Sequence, residues 1–119
     1  MSERKQKLLT AMAELGLGTH TQSLINGALC DGAGADIWLV DPFTEEVLLT
    51  YPDADAALAN AACDAAQDAQ QTWLRAFSAA ARGQVMQDIS RAVLVHAEPL
   101  ATIEAIVAGK PIRDCRIEV

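Results

Sequence analysis

Apolar side chains begin the chain at helical steps, pass into short runs broken by turn residues, and return to helical steps for the remainder. Leu8, Leu9, Met12 and Leu15 recur at three- and four-residue spacing, which predicts a helix over residues 3–15 with one sticky face; Gly16 and Gly18 stand where it would stop. Residues 23–25 and 28–30 flank Asn26-Gly27, whose two positions suit the positive φ of a tight hairpin. Residues 37–40 and 47–51 form a second strand pair around the turn Asp41-Pro42-Phe43-Thr44-Glu45. A small β layer over roughly residues 23–51 follows.

Beyond Pro52 the period becomes 3.6, and Asp53 stands where it would cap a helix carrying Leu58, Ala62, Ala65, Ala69 and Trp73 on one face. Asp55 adds favourable charge in its first turn. The other positions are also rich in alanine, the pattern of an internal helix. Ser78 can cap a second helix, in which Arg82, Val85, Met86, Ile89, Ala92, Val93 and His96 line up. Pro99 suits a first turn and not an interior, so a third helix carries Leu100, Ile103, Ile106 and Val107 until Gly109 ends it. Pro111 opens a last helix with Ile112, Cys115 and Val119 on one face; two and a half turns without a cap give the ending the look of a cut.

Composition narrows the picture. Of 119 residues 51% are apolar but only 4% aromatic, so alanine supplies much of the apolar count and the core is thin. Marginal stability alone, or dependence on a partner, is the expectation. The net charge of -7 argues against nucleic acid and anionic membrane as partners. No apolar run approaches the roughly 18 residues of a membrane span. The N-terminus lacks the apolar core of a secretion signal, and the expected setting is cytoplasmic. Cys30, Cys63 and Cys115 are odd in number and contain no C-x-x-C pair, which reads as reduced thiols rather than a disulfide framework or zinc site.

No catalytic, cofactor-binding or metal residue is expected from the sequence. Gly16-Leu17-Gly18 and Gly32-Ala33-Gly34 lack the third glycine and the strand-to-helix setting of a dinucleotide fingerprint, and read as turns. His20, in a polar loop, and His96, near a helix end, have no second ligand at suitable spacing. Cys115, beside Arg113 and Arg116, comes closest to an activated thiol, but its spacing to Ile112 and Val119 turns it inward. Glu45, Glu46, Asp53, Asp55, Asp64 and Asp68 read as a solvated acidic face.

The order of these features resembles the N-terminal segment of the aldehyde dehydrogenase superfamily. Leu24-Ile25-Asn26-Gly27 is similar to its opening "ING" hairpin, and residues 40–47, Val-Asp-Pro-Phe-Thr-Glu-Glu-Val, to its V-N-P-x-T-G-E-V turn. Residues 61–66 leading to Trp73 resemble an "AA-x-x-A" helix ending in tryptophan. Ser78 with Arg82 is like the S-x-x-x-R start of the next helix, and Gly109-Lys110-Pro111-Ile112 through Glu118-Val119 like G-K-P-(L/I)-x-x-(A/S)-x-x-E-V. The likeness covers about residues 22–119. Glu45 departs from it where the family has a turn glycine, as do Ala28-Leu29-Cys30 and Val107.

The resemblance implies an enzyme that oxidises aldehydes to acids with NAD or NADP, through a thiohemiacetal on a cysteine and a glutamate-activated water. In the family the cysteine, the glutamate, the oxyanion-site asparagine and the cofactor-contacting lysine all lie beyond this segment. Some members also build a monovalent-cation site partly from backbone near this turn and the "GKP" stretch; no metal is assigned here. The expectation is an α+β chain, mostly helical with small N-terminal β-hairpins, belonging to an α/β fold when complete. Its parts are an arm (residues 1–20), a hairpin region (21–51) and helices flanking a cofactor-binding sheet the chain does not encode (52–119). Alone it is expected to be inactive, to bind no cofactor, and to pair with the remainder of a homo-oligomeric enzyme or with itself. The rival reading is a stand-alone helical protein-protein interaction module.

Overall fold

Five helices and four short strands make up the chain in the computed structural model, which describes residues 1–19 and 21–119. The sequence reading of His20 therefore lies outside the described residues. Helix α1 (Glu3–Glu14) is capped by Ser2, whose Oγ accepts from the Lys5 amide at 3.2 Å, and Gly16 at φ +71° turns the chain away. Strands β1 (Ser23–Ile25) and β2 (Ala28–Cys30) pair antiparallel, with Ser23 opposite Cys30 and Ile25 opposite Ala28. Asn26 and Gly27 take φ values of 49° and 78°, the two left-handed positions their types predict. Strands β3 (Asp36–Val40) and β4 (Val47–Pro52) form the second pair.

Helix α2 (Ala56–Ala76) corrects one expectation. Its N-cap is Asp55, whose carboxylate accepts from the Leu58 amide at 2.8 Å, and not Asp53. The Asp53 backbone is committed elsewhere: its amide donates to the Ala35 carbonyl and its carbonyl accepts from the Gly34 amide, both at 2.9 Å. Such backbone pairing holds residue 53 extended, outside the helix. The cap on α3 (Ala79–Val95) is the one predicted, with Ser78 Oγ accepting from the Ala81 amide at 3.2 Å. Helix α4 (Ala97–Ala108) starts two residues ahead of Pro99, which keeps the proline in the first turn, where its missing N–H costs nothing. Gly109, at φ +69°, ends it, and α5 (Ile112–Glu118) follows Pro111.

The chain divides into two compact units. The first joins Met1–Thr21, Ile37–Tyr51 and Ala92–Val119. Its core is Leu8 and Met12 of α1, Leu48 and Leu49 of β4 and Ile106 of α4, with Leu39, Tyr51, Ile103 and Val107 packed around them. Each such side chain contributes about 1.5–3 kcal/mol on burial. Helix α5 packs on α4, and Cys115 is sealed between them.

The second unit joins Gln22–Asp36 and Pro52–Arg91. Here β1 touches α2, and Leu58, Ala62, Ala65 and Trp73 of the predicted face are half-buried, while Ala69 is exposed. No residue of α2 or α3 is fully buried. Trp73 and Phe77 stack with ring centroids 5.1 Å apart and, with Ala66 and Ala69, line an open apolar groove. Met86 and Ile89 of α3 are exposed.

Candidate functional site

The side chains singled out in the sequence stay apart. Cys63 is exposed on α2, Cys30 half-buried on β2, and Cys115 fully buried in α5. Burial pushes the Cys115 thiol above its ordinary pKa, and Glu104 pushes the same way, so the site opposes a thiolate. His96 stands at the N-cap of α4 without a side-chain capping bond. Among the described residues no three or more His, Cys, Asp or Glu converge as a metal-ligand group.

Neither G-x-G fits a dinucleotide. Gly16 closes α1, and a β-carbon at Gly32 would sit 2.0 Å from the Asp53 carbonyl oxygen. That glycine is needed so that the loop can lie against Asp53, which leaves no room there for a phosphate.

A buried polar constellation of the first unit centres on Asp41, fully buried at the end of β3. Its Oδ1 accepts from the Phe43 amide at 2.9 Å, and its backbone pairs with Glu46 and Glu45 across the turn. Its Oδ2 accepts from Arg4 Nε of α1. Arg4 also donates to the Ile106 carbonyl at 3.4 Å and lies over the Phe43 ring, 5.8 Å from its centroid. The Arg4 guanidinium holds the Asp41 carboxyl below its ordinary range; burial opposes this and the Phe43 amide reinforces it. Asp41 is thus a paired, structural anion rather than an acid or base poised for turnover.

Next to this turn lies the stretch Gly109-Lys110-Pro111: a β-carbon at Gly109 would meet Pro42 Cγ at 2.8 Å. Lys110 bridges Glu104, at 2.8 Å, and Glu118. Both carboxylates raise its pKa, Glu104 the more strongly. Arg116 grips Glu98 through two bonds of 2.9 and 2.6 Å, and each partner's pKa moves toward its charged form. These pairs staple α5 to α4. Sequence reading missed the partnership of Arg4 and Asp41, which lie 37 positions apart; the only prior signal was an Asp at the head of a turn.

The arrangement fixes a turn and two helix ends. Comparison with known proteins identifies it. The model of the aldehyde dehydrogenase family matches residues 30–119. An N-succinylglutamate 5-semialdehyde dehydrogenase of Chromohalobacter salexigens is 38% identical over 82% of this chain and 20% of its own length. A probable NADP-linked succinate-semialdehyde dehydrogenase of Sinorhizobium fredii is 37% identical over 66% of the chain and 16% of its own. The mitochondrial aldehyde dehydrogenase family 2 member B4 of Arabidopsis thaliana is 38% identical over 78% and 18%. The chain thus spans about a fifth of the length of these relatives. With the hairpin, the Asp41 turn, the alanine-rich helix and the Gly109-Lys110-Pro111 stretch all in the order of the motifs, the chain belongs to the aldehyde dehydrogenase family.

Proposed function

We propose that this chain is scaffold of an NAD(P)-dependent aldehyde dehydrogenase, an oxidoreductase converting an aldehyde to a carboxylic acid, and carries none of the reacting groups itself. The observation that supports the reading is the incomplete burial of α2: Leu58, Ala62, Ala65 and Trp73 share one side of a 21-residue helix and are only half-buried, and nothing in the helix is fully buried. A helix patterned this way gains its stability from an apposed layer. In this reading residues 1–20 are an arm, 21–51 a hairpin region, and 52–119 helices that flank a cofactor-binding sheet. The partner is the remainder of a cytoplasmic homo-oligomeric enzyme or, failing that, a second copy. Two of the relatives are named for semialdehydes, which makes a semialdehyde the first substrate to assay. The family match weighs against the stand-alone interaction module.

The purified 119-residue chain, given NAD or NADP and succinate semialdehyde, is expected to show no turnover and no cofactor-dependent rise in melting temperature. Turnover, or a cofactor-dependent rise in melting temperature, overturns the scaffold reading. Reading the gene downstream of Val119 is the second arm: a continuing frame with a catalytic cysteine supports it, and a stop followed by unrelated sequence overturns it.

A further inference from the structure

Three elements of the first unit meet at one guanidinium. Arg4 leaves the first turn of α1, pairs through Nε with the buried Asp41 at the head of the residue 41–46 turn, and donates to the Ile106 carbonyl in the last turn of α4. Ile106 is among the last four residues of α4, whose carbonyls have no partner within the helix. One planar fork therefore serves a desolvated carboxylate and a helix-end carbonyl together, a task suited to arginine and not to lysine. Arg4 lies outside the residue 30–119 span of the family match, so the family pattern does not account for it.

We propose that Arg4 is a positioning clamp that docks α1 and, through Asp41, holds the residue 41–46 turn against the C-terminal end of α4. The same carboxylate that receives Arg4 also receives the Phe43 amide, and its backbone carbonyl receives the Glu45 amide at 2.8 Å. Release of Arg4 leaves a buried anion uncompensated, and the turn built on that anion loosens with the helix. Lys5, one residue on, donates to the Val47 carbonyl at 3.1 Å and touches neither acceptor of Arg4, so it is the matched control.

The test is residue-resolved amide exchange on the whole chain. Arg4→Met is expected to speed exchange of the Phe43 and Glu45 amides, together with those of α1, by at least about tenfold, with α2 unchanged. Lys5→Met is expected to change them by less than about twofold. In an Asp41→Asn background, Arg4→Met should add a much smaller change, because the carboxylate it served is gone. Unmoved Phe43 and Glu45 amides in Arg4→Met, an equal effect from Lys5→Met, or full additivity with Asp41→Asn each overturns the clamp. If Arg4→Met does not fold, Arg4→Lys decides: it keeps the cation and loses the fork, so faster exchange at the turn supports the clamp and wild-type exchange overturns it.

Discussion

The first unit closes a core and the second does not, although both carry helices with a clear apolar face. In the first, α1, β4 and α4 bring Leu8, Met12, Leu48, Leu49 and Ile106 together from three parts of the chain. In the second, Leu58, Trp73, Phe77, Val85, Met86 and Ile89 are as large and as well spaced, yet none is fully buried. Periodicity specifies a face; burial requires an element opposite it. The described polar groups follow the same division. Every carboxylate whose pKa is lowered, namely Glu3, Asp41, Glu98 and Glu118, lies in the first unit.

The sharpest way to break this contrast is truncation on each side. Leu48, with no exposed surface, should cost about 2–5 kcal/mol as Leu48→Ala, lost from the first unit. Trp73→Ala removes a half-buried ring and one stacking partner and should cost about 1 kcal/mol or less. Amide exchange resolves which unit pays. Equal losses would mean that the second unit holds a core of its own.

Thiol chemistry gives the next largest contrast. Cys63 is exposed on α2, whereas Cys115 is fully buried with its thiol held protonated. At pH 8 a maleimide should modify Cys115 at least about a hundredfold more slowly than Cys63, followed by mass spectrometry of the peptides. Comparable rates would show that α5 leaves α4 readily and that the ion pairs at Glu98 and Glu104 do not staple it.

Acid separates the units more mildly. Asp41 has a folded pKa below its ordinary value of 3.8, so its contribution is present above that value and is lost as pH falls through the depressed one. Glu98 and Glu118 act with the same sign. Exchange in α1, α4 and α5 should therefore accelerate below about pH 4 ahead of that in α2. Asp41→Asn should be less stable at neutral pH and show a shallower acid transition. An unaltered transition would mean the carboxylate gains nothing from Arg4.

Much of this fold was legible in the chain because its signals are local. Asn26-Gly27, the Ser78 cap, Pro99, Gly109 and the inward Cys115 each depend on residues within a few positions, and each stands where the pattern placed it. Asp53 and Asp55 both precede the alanine run, and the choice between them is made by Gly34 and Ala35, too far back for a capping pattern to register. Arg4 and Asp41 were illegible for the same reason. The family resemblance was carried by order and spacing.

The smallest expected effect sits on the turn itself. Glu45 has φ +58°, a left-handed conformation that costs a residue with a β-carbon about 1 kcal/mol or more relative to glycine. It is the position at which the family turn motif that residues 40–47 resemble carries glycine, the residue best suited to a positive φ. Asn26 at φ 49° is no equivalent case, because asparagine tolerates this region. What holds Glu45 there is its amide's bond to the Asp41 carbonyl and the return bond from the Asp41 amide to Glu46. Glu45→Gly relieves the strain but gives the unfolded chain more freedom, and the two partly cancel. The net expectation is a gain of about 0.5 kcal/mol, seen as a raised denaturant midpoint and slower exchange at the turn amides, with Glu45→Ala giving no gain. A loss in Glu45→Gly would mean that the Glu45 side chain contributes a contact worth more than the strain, and the turn of the first unit would then owe its shape to that side chain as well as to Asp41.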